Sequence, residues 1–191
     1  MIGKLLQMIV FYPAWIIYKS GGCFVHDELN EWMLRFRIDK GSEYKNFLYL
    51  CERPEYRTVL YWRNNANFLV RKITPPHPTL YMATPNNKVG CGLVIQHGHS
   101  TIIHAKSIGA HCQVWQNVTI GKSRPGGGLP EIGNDVMIFT GAVVLGEIKI
   151  GDNVVIGANA VVTKSVPNNC TVAGNPAMII RENGVRVNKQ L

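Results

Sequence analysis

The chain has 191 residues, 46% hydrophobic and 17% charged, a balance that excludes intrinsic disorder and suits one domain or two small ones with a real core. Its net charge of +8 favours an anionic partner: nucleic acid, an anionic lipid, or a phosphorylated cofactor or substrate. Five cysteines without a CxxC pair exclude a disulfide framework and a zinc knuckle, and fit a reducing, cytoplasmic compartment.

Residues 5–18, LLQMIVFYPAWIIY, are apolar but interrupted by Gln7 and Pro13, and they fall short of the roughly 20 apolar residues a membrane span needs. KSGGCF, which follows, is a poor signal-peptide cleavage site. The segment reads as a buried or subunit-packing helix, with an interfacial membrane anchor as the alternative that Lys4 and Lys19 keep open. HDELNEWMLRFRI predicts a helix capped by Asp27, with Leu29, Met33, Leu34 and Phe36 near helical spacing. GSEYKNFLYLCERPEYRTVLYWR predicts two short helices divided before Pro54, the first capped by Ser42. TPPHPTLYMATPNN has three prolines before Tyr81, which exclude helix and central strand and close a helical region and linker over residues 1–88. Arg53, Arg57, Arg63, Arg71 and Lys72 are interleaved here with Tyr56, Tyr61 and Trp62. No nucleic-acid module accompanies them, so solvated helix faces, or attraction for a lipid-linked, phosphorylated sugar at a membrane, are expected and a nucleic-acid partner is not.

From Val89 the period changes. Ile102, Ile108, Val114 and Ile120 stand six apart, as do Ile132, Ile138, Val144, Ile150, Ile156 and Val162. Six is neither the period of a helix nor that of an ordinary strand. It suits a triangular coil in which each hexapeptide makes one flat side and one corner, and three complete a turn. The aliphatic residue fills the prism, and rungs stack at about 4.8 Å. Gly133-Asn134-Asp135 and Gly151-Asp152-Asn153 suit the corners. The predicted fold is mainly β: a parallel β-helix of hexapeptide repeats over residues 89–181, with 182–191 as a C-terminal tail. GKSRPGGGLPE, within residues 121–131, reads as a loop thrown out from the prism, either decoration or a lid.

The stretches GCGLVIQHGHSTII (90–103), QNVTIG (116–121), IGNDVMIFTGAVVLGEIKIGDNVVIGANAVVTKSVPNN and VAGNPAMIIR resemble the left-handed β-helix acyltransferases. Among these the chain is most similar to serine O-acetyltransferases and to acetyltransferases of exopolysaccharide synthesis. PEYRTVLYWR (54–63) is similar to the helical extension of the polysaccharide branch. The resemblance implies acetyl transfer from acetyl-CoA to a hydroxyl, and homotrimers, sometimes hexamers, with active sites between neighbouring prisms. It also implies that His97 is the catalytic base. A hydroxyl is a poor nucleophile at neutral pH, and an imidazole can take its proton as the C–O bond forms. Gln96 and Gly98 flank that base as substrate-binding positions, Gly98 offering room for the thioester and an exposed amide for the oxyanion. Thr140 and Ala158 match positions along the pantetheine arm. Thr163, Lys164 and Arg181 match positions near the adenine and phosphate end, where basic side chains neutralise phosphates.

Two departures bear on the acceptor. Gln96 stands where the serine enzymes have an aspartate, and Gly128 and Leu129 stand where they have an Arg-His pair. A carboxamide offers no carboxylate to an ammonium, so the expected acceptor is a saccharide hydroxyl, free or lipid-linked, in surface polysaccharide synthesis at the inner membrane face, with peripheral membrane contact. Serine is the first alternative and a non-catalytic scaffold the second. His99 and His104 are spaced like a pair in zinc-binding β-helix hydratases, but Arg63 stands where the third histidine would fall, so no metal is expected. His26 and His77 read as surface residues.

Overall fold

The computed structural model describes residues 2–191, divided into two compact units between Pro78 and Thr79. The first is helical: α1 (Ile2–Ser20), α2 (Cys23–Phe36), α3 (Glu43–Cys51), α4 (Pro54–Arg63) and α5 (Phe68–Ile73). Ser42 caps α3 by accepting from the Lys45 amide, and Pro54 opens α4, where its missing N–H costs nothing. Trp32, Tyr18, Tyr56, Phe47 and Leu50 fill the core. Asp27 is not a cap: α2 begins at Cys23, after an extended Gly22. Nor is every basic residue solvated. The Arg63 side chain is 5% exposed and pairs with Glu28 at 2.7 Å. His77, expected at the surface, is buried, and its amide donates to Thr58 Oγ1. α1 runs unbroken through Pro13 and buries only one side, at Ala14 and Tyr18.

The second unit is the prism. Its first face stacks Leu80–Met82, Thr101–Ile103, Thr119–Gly121, Val143–Leu145 and Val161–Val162. Its second stacks Ser107–Ile108, Glu131–Ile132 and Lys149–Ile150. The third stacks Val94–Ile95, Gln113–Val114, Met137–Ile138, Val155–Ile156 and Cys170–Ala173. All these pairs are parallel. Ile132 lies on Ile150, Ile138 on Ile156 and Val144 on Val162, each eighteen residues on. One rung higher, Ile108 lies on Ile132, Val114 on Ile138 and Ile120 on Val144, each twenty-four residues on. The extra six belong to the segment between Gly121 and Glu131, so it leaves the prism without breaking the register.

Several expectations are corrected. The inward residue of its rung is Ile103, buried on Ile120, whereas Ile102 is 43% exposed. The inward Ile95 and Ile103 stand eight apart and Ile103 and Ile108 five, thirteen where two repeats take twelve, so the period shifts by one residue at Ile102. The prism starts before Val89 because Leu80–Met82 pairs with Thr101–Ile103 as an edge strand, the one place the preceding prolines permit. Residues 182–191 are no loose tail: Met178–Glu182 and Val185–Gln190 pair antiparallel. Asn183 and Gly184, with φ of 50° and 80°, supply the two left-handed positions of a type I′ hairpin turn. The chain is not mainly β either, with 31% helix against 24% strand. Each side of the prism is only two to four residues long, while the first unit is nearly all helix. At the corners, Asp135 and Asn153 take the left-handed conformation, both at φ 54°. Gly133 is there for closeness instead: a Cβ would stand 2.6 Å from Asp152 Oδ1 and 2.8 Å from the Gly151 carbonyl carbon.

Candidate active site

His97 lies at the corner where the third face turns into the first. The surplus residues between Ile95 and Ile103 are accommodated there, with φ of 62° at His97, 27° at Gly98 and 49° at Ser100. A left-handed histidine costs roughly 1–2 kcal/mol. The His97 side chain is exposed, and its ring has no partner among the described residues. Gly98 is buried rather than open, and its amide finds no acceptor among the described residues.

The same corner repeats rung by rung. The Asn117 amide donates to His99 O at 2.8 Å, the Gly141 amide to Gln116 O at 3.1 Å, and the Asn159 amide to Thr140 O at 2.9 Å. This ladder puts His97, Thr140 and Ala158 on one edge of the prism. Gln96 is half-buried beside it, its Nε2 donating to Gln113 Oε1 at 3.5 Å, the outer limit of a hydrogen bond. Below Gln96 the column continues with Trp115 and Phe139, whose rings stack at 4.3 Å and 26°. Gln116 Oε1 is buried on this edge without a donor. Sequence reading singled out none of Gln113, Trp115, Gln116 or Phe139. A signal existed for two of them: Trp115 follows Val114 and Phe139 follows Ile138, as Gln96 follows Ile95.

Thr163 and Lys164 form a separate group. They line a cavity of about 180 Å³ with Val161, Pro176, Ala177 and Met178. Lys164 Nζ donates to Leu191 O at 2.5 Å. Arg181 does not join them: it is exposed and opposite Thr171 in the antiparallel extension. In the thrown-out loop, Gly128 and Leu129 are half-buried, Gly128 so near Glu147 that a Cβ would stand 2.6 Å from that side chain.

Residues 130–164 match the family described as bacterial transferase hexapeptide (six repeats). With the stacked parallel rungs, the match defines the second unit as a hexapeptide-repeat β-helix. The chain resembles serine O-acetyltransferases in particular. It is 42% identical over 106 residues to the serine acetyltransferase of Synechococcus elongatus, covering 54% of this chain and 43% of that protein. It is 45% identical over 108 residues to that of Staphylococcus aureus, covering 55% and 51%. The chain thus spans about half the length of the curated relatives it matches. Among solved structures, Neisseria gonorrhoeae serine acetyltransferase superposes with a TM-score of 0.61 at 26% identity, covering 86% of this chain and 67% of that one. A serine acetyltransferase in complex with CoA gives 0.56 at 25%, covering 86% and 72%.

These names overturn the saccharide acceptor expected from the sequence. That expectation rested on Gln96, Gly128 and Leu129. Missing charged contacts bear on how tightly an amino acid is held, and they do not by themselves select another acceptor.

Proposed function

We propose that the protein is an acetyl-CoA-dependent O-acetyltransferase with serine as acceptor, built on a left-handed β-helix. The observation that carries this reading is the outward imidazole of His97 on the edge it shares with Thr140 and Ala158. The names of the relatives at 42–45% identity support the acceptor.

His97 takes the proton of the serine hydroxyl as that oxygen attacks the thioester carbonyl. Collapse expels the CoA thiolate, and the His97 imidazolium returns the proton to it, leaving O-acetylserine and CoA. Lys164 and Thr163 receive the phosphate end of the cofactor, and Arg181 adds charge from its neighbouring strand. Serine's ammonium meets the Gln96 amide oxygen instead of a carboxylate, so serine is held more weakly than an aspartate would hold it.

The active form is a homotrimer in the cytoplasm. Tyr81, Ile102, Thr119, Val143 and Val161 lie in register down the first face, and Tyr81 and Ile102 are 61% and 43% exposed. This column supports packing between copies, which brings a second chain to the unpartnered ring of His97. Incubating the protein with acetyl-CoA and serine, and measuring O-acetylserine by mass spectrometry, tests the reading. CoA release no faster with serine than without it refutes it.

A further inference from the structure

The first unit carries an apolar surface that the acetyl-transfer reading does not use. Leu5, Ile9, Tyr12 and Ile16 are 61%, 63%, 56% and 54% exposed. Their spacing of four, three and four puts them in one stripe along α1. Leu6 and Met8 flank the stripe at 60% and 41%. A cavity of about 500 Å³ opens along it between Leu5, Met8, Ile9, Tyr12, Trp15 and Tyr44. An apolar surface this continuous on a soluble chain marks an interaction site.

Charge indicates what covers it. Neither α1 nor α5 contains an acidic residue, and α5, which touches α1, carries Arg71 and Lys72 beside Phe68 and Leu69, exposed by 73% and 65%. Apolar side chains with a basic rim complement an anionic lipid surface, where the former enter the acyl boundary and the latter pair with headgroups. A second copy would bring the same cations, and the carboxylates nearest α1, Glu43 and Glu52, are already engaged with Lys19 and Gln7. No single described helix is long and apolar enough to cross a bilayer.

We propose that the α1 stripe binds the surface of an anionic bilayer, with Arg71 and Lys72 of α5 contributing charge. Flotation of the full chain with phosphatidylcholine vesicles, with and without phosphatidylglycerol, tests this. Binding is expected only to the anionic vesicles, weakened by salt and by Lys72→Glu. The exposed double substitution Ile9→Ser with Ile16→Ser lowers the partition coefficient by on the order of tenfold or more, and its melting temperature stays that of the parent. Equal or absent binding to the two vesicle types overturns the proposal, as does an unchanged partition of the double variant. So does a fall in its lipid-free molecular mass, which would mean that a second copy covers the stripe.

Discussion

Replacing Gly109 by alanine tests the register of the prism directly. The added Cβ would stand 2.5 Å from both the carbonyl carbon and the oxygen of Gly133, and 2.6 Å from the Asn134 nitrogen. All three are backbone atoms, so no side chain can swing aside. Carbon atoms in contact settle at about 3.5–4.0 Å, and the rungs must therefore part locally by about 1 Å. That separation weakens the bonds from Gly109 N to Ile132 O, at 2.9 Å, and from Asp135 N to Ala110 O, at 2.8 Å. Overpacking of this kind costs about 1–3 kcal/mol, and a weakened hydrogen bond adds about 1 kcal/mol. The expected loss is about 2–4 kcal/mol, a fall in Tm of about 5–15 °C. Gly121→Ala is the control, since its Cβ meets nothing nearer than Leu145 Cδ2 at 3.9 Å. Its stability should stay within about 0.5 kcal/mol of the parent. If the two variants melt together in a calorimeter, the stacking of this corner is wrong.

His97→Ala is expected to lower kcat by about 10²–10⁴-fold while leaving CoA binding by calorimetry intact; comparable turnover would remove His97 from its role. Gln96→Asp restores a carboxylate for the serine ammonium and should lower the KM for serine about tenfold, which steady-state kinetics will read. Lys164→Ala should raise the KM for acetyl-CoA with little change in kcat, and an unchanged KM would move the phosphates elsewhere. Burial pushes the Cys112 thiol up to about 12. The folded chain then holds this proton where the unfolded one releases it, so stability is full below the ordinary thiol range and declines as pH rises towards about 12. Urea midpoints for Cys112→Val should decline less over that interval than those of the parent.

The inward aliphatics from Ile108 to Val162 were legible because a single period governs six residues at a time. Ile102 was misread because an isoleucine stands on either side of the slip, and only the surplus after Ile95 reveals which one turns inwards. The start of α2 left no capping side chain to read: Gly22 is permissive and specifies nothing. The terminal hairpin does leave a mark in the sequence, in Asn183-Gly184 followed by the alternating VRVN. Arg63 and His77 were assigned to the surface by residue type alone, and burial beside Glu28 and Thr58 depends on tertiary contacts a local pattern does not carry. At the candidate site, the edge shared by Thr140 and Ala158 follows from the eighteen-residue spacing, but His97 does not join it by the repeat alone, because the period counted back from Ile102 reaches Gln96 and not the inward Ile95. The acceptor was not legible, because a few substituted positions are weak evidence for the identity of a small molecule.

A fold that stores surplus chain at its angles can grow without being redesigned. The loop between Gly121 and Glu131 and the swelling at His97 are both additions of this kind, and the lower rungs keep their pitch beneath them. A duplicated turn inserted below Ala158 would lengthen the rod and carry the terminal hairpin further from the imidazole, with the angle at His97 itself left as it stands.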